Sequence, residues 1–242
     1  MAPLKLFFTY FGGKWAAAKR YPIPTHDTII EPFAGSAGYS LHYPERNIML
    51  YDKDPIICGL WDYLIKASEA DILKLPTEIT DLRIMNMAQE EKWLIGFWLN
   101  KGSASPRNMP STWMKSNTRP KSYWGHEIRN RIATQLQYIR HWKIKNIGYN
   151  EIPDIQGSWF IDPPYQRSGV LYRYSSKGID YEELSKWCRS RTGSTIVCEQ
   201  EGANWLPFSQ FRTIQALHGK KGSKISKEII WTKGIELLGV TE

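Results

Sequence analysis

The sequence predicts one α/β domain built on an open, doubly wound sheet and interrupted by a basic, mostly helical insertion. Three observations carry that expectation. Residues 25–41, THDTIIEPFAGSAGYSL, place a short apolar strand, Thr28–Glu31, before a glycine-rich turn over residues 32–38, with a helix expected to open at Tyr39. Residues 47–51 read as a second strand ending at Asp52, 17 residues after Gly35. That offset is close to the roughly 20 residues at which such folds place a ribose-binding acid. Residues 159–161, Trp-Phe-Ile, form a third short apolar run that stops at Asp162-Pro163-Pro164-Tyr165.

Composition narrows the class. A chain of 242 residues is long enough for one sizeable domain with an insertion but cramped for two. Its 11 Trp, 13 Tyr and 8 Phe exceed what a core of this size needs, so some rings are expected to face a ligand. Net charge of +8 favours a polyanionic partner. Cys58, Cys188 and Cys198 are odd in number, widely spaced and without a CxxC pair, which argues against a disulfide framework or zinc site and fits a reducing cytoplasm. The five histidines are scattered and suggest neither a triad nor a metal centre. No leader and no membrane-spanning stretch is read, so the expectation is a cytoplasmic, DNA-associated protein.

The chemistry concentrates at strand ends. At Asp162 a carboxylate stands where the strand stops, and Pro163 and Pro164 lock two consecutive φ angles while supplying no N–H. Carbonyl oxygens there are free to accept hydrogen bonds, and Tyr165 adds a flat ring. Acceptors beside a stacking ring suit the exocyclic amino group of a planar base: N6 of adenine, N4 of cytosine or a glutamine-like amide. Near the start of the chain, FFTYFGGKWAAAKRY at residues 7–21 sets Gly12, Gly13 and Lys14 before an alanine-rich helical start at residues 15–20. This is not a Walker A loop, because GxxxxGK[ST] is absent. The glycine-rich turn with Asp52 would serve any nucleoside-bearing cofactor, NAD and S-adenosylmethionine alike.

FGGK at 11–14, EPFAGSAG at 31–38, Asp52 and DPPY at 162–165, in that order, resemble the D12-class, Dam-like N6-adenine DNA methyltransferases of the α group. The resemblance covers residues 7–60 and 155–232. It implies a Rossmann-like S-adenosylmethionine-dependent methyltransferase fold with a seven-stranded mixed sheet and a mostly helical DNA-recognition insertion. It divides the chain into a catalytic domain, residues 1–63 and 146–242, and a target-recognition insertion, residues 64–145. It implies that Tyr10, Gly12, Gly13, Lys14, Phe33, Gly35, Ser36, Gly38, Asp52 and Asp162 line the cofactor site, with Asp52 on the ribose hydroxyls and S-adenosylhomocysteine as product. Asp162 and the Pro163 carbonyl would hold the target amine, Pro164 would stiffen the turn and Tyr165 would stack on a flipped base. Ser36-Ala37-Gly38 departs from the more compact glycine pattern of many relatives. N4-cytosine DNA methylation, N6-adenine RNA methylation and a non-catalytic DNA-binding scaffold remain alternatives.

The middle of the chain carries the charge. Between Lys101 and Lys145 ten Lys and Arg face one acid, Glu127. Residues 62–75 and 87–100 are expected to be helical and residues 101–119 a loop. Ile128, Ile132, Leu136 and Ile139 recur at helical spacing, which should bury one face and leave Arg129, Arg131 and Arg140 outside. Phosphate contacts are expected from Arg107, Lys115, Arg119, Lys121, Arg129 and Arg131, with Trp124 interleaved. Arg167 and Arg173 after DPPY, and Lys220 and Lys221 near the end of the chain, extend the set. Double-stranded DNA is the expected partner, met by a monomer or by a dimer on DNA, with short or relaxed sequence specificity and no metal. Residues 181–189 read as a helix, 195–199 as a strand, and 211–217 with 228–232 as a closing antiparallel pair.

Overall fold

The computed structural model describes residues 2–116, 122–215 and 225–235. Its seven strands are Thr28–Glu31 (β1), Asn47–Asp52 (β2), Lys143–Asn146 (β3), Gly157–Ile161 (β4), Gly193–Gln200 (β5), Ser209–Gln215 (β6) and Ile225–Lys233 (β7). They lie in the order β3-β2-β1-β4-β5-β7-β6. The first five run parallel, and β7 inserts antiparallel between β5 and β6. This is the Rossmann-like S-adenosylmethionine-dependent methyltransferase fold. Chain direction across the sheet reverses between β1 and β4, so a crevice opens beyond the carboxyl ends of those two strands.

Alternation along the strands divides the core between two faces. Ile29, Phe160, Ile196 and Cys198 point to one side with Trp61 and Phe97. Ile30, Trp159, Ile161 and Val197 point to the other with Leu184 and Trp187. Burial on both faces explains why these strands read as continuous apolar runs.

The helices are Pro55–Lys66 (α1), Glu69–Leu73 (α2), Gln89–Leu99 (α3), Thr112–Lys115 (α4), His126–Gln135 (α5) and Tyr181–Ser190 (α6). Asp54 caps α1 by accepting from the Ile56 N–H, with Pro55 at the first position. The helix expected over residues 62–75 is two helices. Ser68 and Asp71 form a capping box that starts α2 afresh. The helix expected from Tyr39 is a single 3-10 turn, Ser40–His42, because Pro44 disfavours a helical conformation at Tyr43. Residues 15–20 likewise yield only Ala18–Arg20, cut short before Tyr21-Pro22. The segment expected as loop contains α4.

The insertion shares its core with the rest of the chain. Leu94, Phe97, Trp98, Ile128, Ile132, Leu136 and Ile139 pack in the cluster that holds Phe7, Phe8 and Trp61. The expected boundary after residue 145 falls inside β3, a strand the sequence reading passed over because Lys143 and Lys145 mask it. No helix among the described residues is long and apolar enough to cross a membrane.

Trp61 joins core and crevice. Fully buried, it packs against Phe7, Phe8 and Trp142, and its indole N–H donates to the Gly35 carbonyl at 2.9 Å. Trp61→Ala should cost about 3–5 kcal/mol of stability, read from the urea unfolding midpoint.

Candidate active site

The ends of β1, β2 and β4 and the FGGK loop enclose a cavity of about 460 Å³. Such a volume suits a nucleoside-sized ligand. All ten residues expected at the cofactor, Tyr10, Gly12, Gly13, Lys14, Phe33, Gly35, Ser36, Gly38, Asp52 and Asp162, line it.

Two backbone features shape the glycine-rich turn. Gly35 has φ +44°, and Ala37 follows at +50°, a left-handed conformation seldom taken by a residue with a side chain. At Gly38 a Cβ would come within 2.5 Å of the Trp15 nitrogen, so the turn and the FGGK loop can pack together only without one. Tyr39 then stacks flat on Phe160 of β4, ring centroids 4.3 Å apart.

Asp52 is aimed by backbone donors. Its Oδ2 accepts from Gly35 N–H at 3.0 Å and its Oδ1 from Asp54 N–H at 2.9 Å. Burial pushes its carboxyl up to about 6, against those hydrogen bonds. Glu31, at the end of β1, is 2% exposed and accepts from Ser40 N–H at 2.8 Å. Burial pushes it up to about 8.

The FGGK loop and the DPPY turn meet through a buried ion pair. Lys14 Nζ donates to Asp162 Oδ2 at 2.7 Å and to the Gly12 carbonyl at 2.9 Å, and it stands 3.8 Å from Glu228. Burial alone would lower the Lys14 pKa, but Asp162 and Glu228 outweigh it and hold the ammonium above its ordinary value. Burial raises the Asp162 carboxyl, and Lys14 opposes the rise. Asp162 Oδ1 is buried and has no hydrogen-bond partner; Ser36 Oγ is in the same condition.

Tyr165 differs from its expected disposition. Its hydroxyl donates to Glu228 Oε1 at 2.9 Å and Lys14 Nζ sits 4.9 Å from its ring centroid. The ring is turned inward and does not line the cavity. Glu228, 3% exposed on β7, also accepts from the Tyr21 hydroxyl at 2.9 Å and pairs with Arg212. Burial would raise this carboxyl, but Lys14 and Arg212 hold it below its usual range.

Sequence reading missed Glu31 and Glu228. Glu31 carried a visible cue, an acid closing a buried strand in front of Pro32. Glu228 carried none, since its partners lie 207, 63 and 16 residues away in the chain. Asp54, Tyr149, Tyr172, Asp180 and Glu183 also line the cavity.

Three of the expected DNA contacts are turned inward. Trp124 is 3% exposed and its indole donates to the Pro76 carbonyl. Arg131 donates to the Leu6 carbonyl and lies over the Trp98 ring. Arg129 donates to the Leu75 carbonyl. Trp124 is thus a packing residue, and the half-buried Arg129 and Arg131 spend guanidinium donors on tying α5 to its neighbours rather than standing free for phosphate. Arg107, Lys115, Arg167 and Arg173 are exposed, with Arg173 lining the cavity 3.8 Å from Asp54. Arg119, Lys121, Lys220 and Lys221 lie outside the described residues.

No family model and no curated protein matches the chain. Distant likenesses exist among solved structures. A conserved hypothetical protein of Streptococcus pyogenes is 10% identical over 85% of this chain and 84% of its own, with a TM-score of 0.34. The proposed methyltransferase yhhF of Escherichia coli is 11% identical over 84% and 74%, with a TM-score of 0.35. The proposed methylase HI0767 of Haemophilus influenzae is 9% identical over 86% and 80%, with a TM-score of 0.33. At that distance they carry no argument about activity, which rests on the residues of the site.

Glu31 offers a test of the site's electrostatics. With its folded pKa at about 8 and its ordinary value at 4.5, the native state holds a proton that the unfolded chain loses, so stability falls as pH rises through that window. Glu31→Gln should remove this slope. Urea midpoints at pH 5 and pH 8 should show the variant gaining on the native protein by about 1–3 kcal/mol between them.

Proposed function

We propose that the chain transfers a methyl group from S-adenosylmethionine to N6 of adenine in DNA. The observation that carries this reading is Asp162 Oδ1, a buried acceptor without a donor at the DPPY turn. An unpaired buried acceptor costs about 1–3 kcal/mol, which an incoming amine N–H would recover.

The lining of the cavity supports a cationic nucleoside cofactor. Asp52, Asp54, Asp162, Asp180 and Glu183 outnumber Lys14, Lys53 and Arg173, and the rings of Tyr10, Phe33, Tyr149 and Tyr172 stand among them. Acids and aromatic faces attract a sulfonium. They would repel the pyrophosphate of a dinucleotide, which favours S-adenosylmethionine over NAD. Asp52 would take the ribose hydroxyls, Phe33 and Tyr149 would border the base, and Gly12, Gly13 and Ser36 would face the amino-acid end. When bound, the cofactor supplies an activated methyl group.

Adenine N6 is a weak nucleophile because its lone pair is delocalised into the ring. Hydrogen bonds from its N–H groups to Asp162 Oδ1 and the Pro163 carbonyl favour a pyramidal nitrogen and stabilise the charge developing there. Lys14 holds Oδ2, which leaves Oδ1 as the acceptor and sets its direction. The prolines keep that geometry rigid, and the remaining catalysis is positioning. The base must leave the duplex to arrive, at a cost of a few kcal/mol.

Mass spectrometry of nucleosides from unmethylated DNA incubated with protein and S-adenosylmethionine should find N6-methyladenine. N4-methylcytosine, or no product on DNA, would overturn the assignment. Asp162→Asn keeps the shape of the side chain and should lower the transfer rate at least about 100-fold while calorimetry still detects cofactor binding. Asp52→Asn should instead weaken cofactor binding about 10-fold or more, measured by the same calorimetry.

A further inference from the structure

The segment after DPPY is a strap pinned at both ends with an apolar tip turned outward. At its start Gln166 N–H donates to Glu199 Oε1 at 2.7 Å, and Gly169 N–H donates to the Tyr165 carbonyl at 2.7 Å. Gly169 lies flat on the DPPY turn, since a Cβ there would come within 2.7 Å of the Pro164 carbonyl carbon. Beyond the tip the Tyr172 hydroxyl donates to the Phe11 carbonyl at 3.1 Å, and its ring contacts Tyr10 and Phe11. Lys53 then lies 5.6 Å from the Tyr174 ring centroid. Between these anchors Val170 is 52% and Leu171 65% exposed.

A pair of aliphatic side chains held in water, directly before cavity-lining Tyr172 and on a segment bonded back onto the DPPY turn, calls for a partner. The surrounding charge says which. Residues 166–178 contain Arg167, Arg173 and Lys177 and no acid. Phe11, which receives Tyr172, also donates its N–H to the Ser103 carbonyl at 3.2 Å, so the basic loop that carries Lys101 and Arg107 adjoins the same rim. Cations around an apolar tip match a duplex, whose outside is phosphate and whose interior is stacked base.

Resting on the reading above, we infer that Leu171, backed by Val170, is the wedge that enters the DNA stack when the target base leaves it. Extrusion opens a gap about 3.4 Å high, lined by base faces. Apolar side chains fill such gaps and hold the strands apart. The strap is suited to this because its anchors are the DPPY turn and the FGGK loop, so a tip seated in the duplex aligns the empty position with Asp162. Rigid anchoring also means that little further order is lost on insertion.

The experiment measures initial methylation rates on PCR-amplified DNA, native and heat-denatured, for the wild type, Leu171→Ala, Leu171→Met and Val170→Ala/Leu171→Ala. Denatured DNA needs no unstacking. Leu171→Ala should lower the rate on native DNA about tenfold and the double variant further, while rates on denatured DNA stay within about twofold. Leu171→Met should retain most activity on native DNA. Equal loss on both substrates, loss on neither, or a wild type active only on denatured DNA would overturn the wedge while leaving adenine methylation standing. A wild type that methylates neither substrate would overturn the methylation reading itself. The exposed tip makes a folding defect unexpected, and an unchanged thermal midpoint for each variant separates the two effects.

Discussion

A buried lysine facing a buried aspartate holds the two working loops of this protein in register. Lys14 comes from the FGGK loop and Asp162 from the end of β4, 148 residues later. Neither could be inside alone. Burial opposes both charges, and a buried pair broken by removing one partner typically costs 3–5 kcal/mol because the other is stranded. Glu228 and Arg212 extend the pair into a four-charge network whose formal charges cancel. Tyr21 and Tyr165 close it with phenolic hydrogen bonds to Glu228. The antiparallel β7, which supplies Glu228, is thus tied directly to the DPPY turn.

Around that network the sheet supplies position and the loops supply chemistry. Reversal of strand order between β1 and β4 leaves a gap that no crossover fills, and the cavity occupies it. Glu31, Asp52 and Asp162 arrive there because each ends, or immediately follows, one of three adjacent parallel strands. A carboxylate at a strand end can be aimed by nearby backbone N–H groups, as Asp52 is by Gly35 and Asp54. Asp162 instead is aimed by one ammonium, and that asymmetry leaves one of its oxygens available.

The basic middle of the chain shows two uses of arginine. Arg129, Arg131 and Arg140 point their guanidinium groups at backbone carbonyls, Arg140 at those of Leu64, Ile65 and Ala67, where α1 ends. Helix C-termini leave carbonyls unpaired, and a five-donor fork satisfies several at once. Among the described residues Arg107 and Lys115 show no such bonds, and they stand exposed on the segment before α5. A net positive segment is therefore partly internal stitching and only partly solvent-exposed charge.

The sequence by itself determined the sheet's working edge. Thr28–Glu31 and the turn after it, Asp52 at the end of β2, and Asp162 with its prolines were all legible, because a buried strand and a proline-locked turn are written in a handful of consecutive residues. The buried stripe from Ile128 to Ile139 was legible for the same reason. The tertiary structure alone decided which arginines face solvent, since charge does not reveal whether a guanidinium meets a phosphate or a carbonyl from another helix. It also decided the inward turn of Tyr165, the joining of the insertion to the main core and the role of Glu228. Each depends on groups brought together from distant parts of the chain, where local propensity has no reach and only packing and charge balance choose the partner.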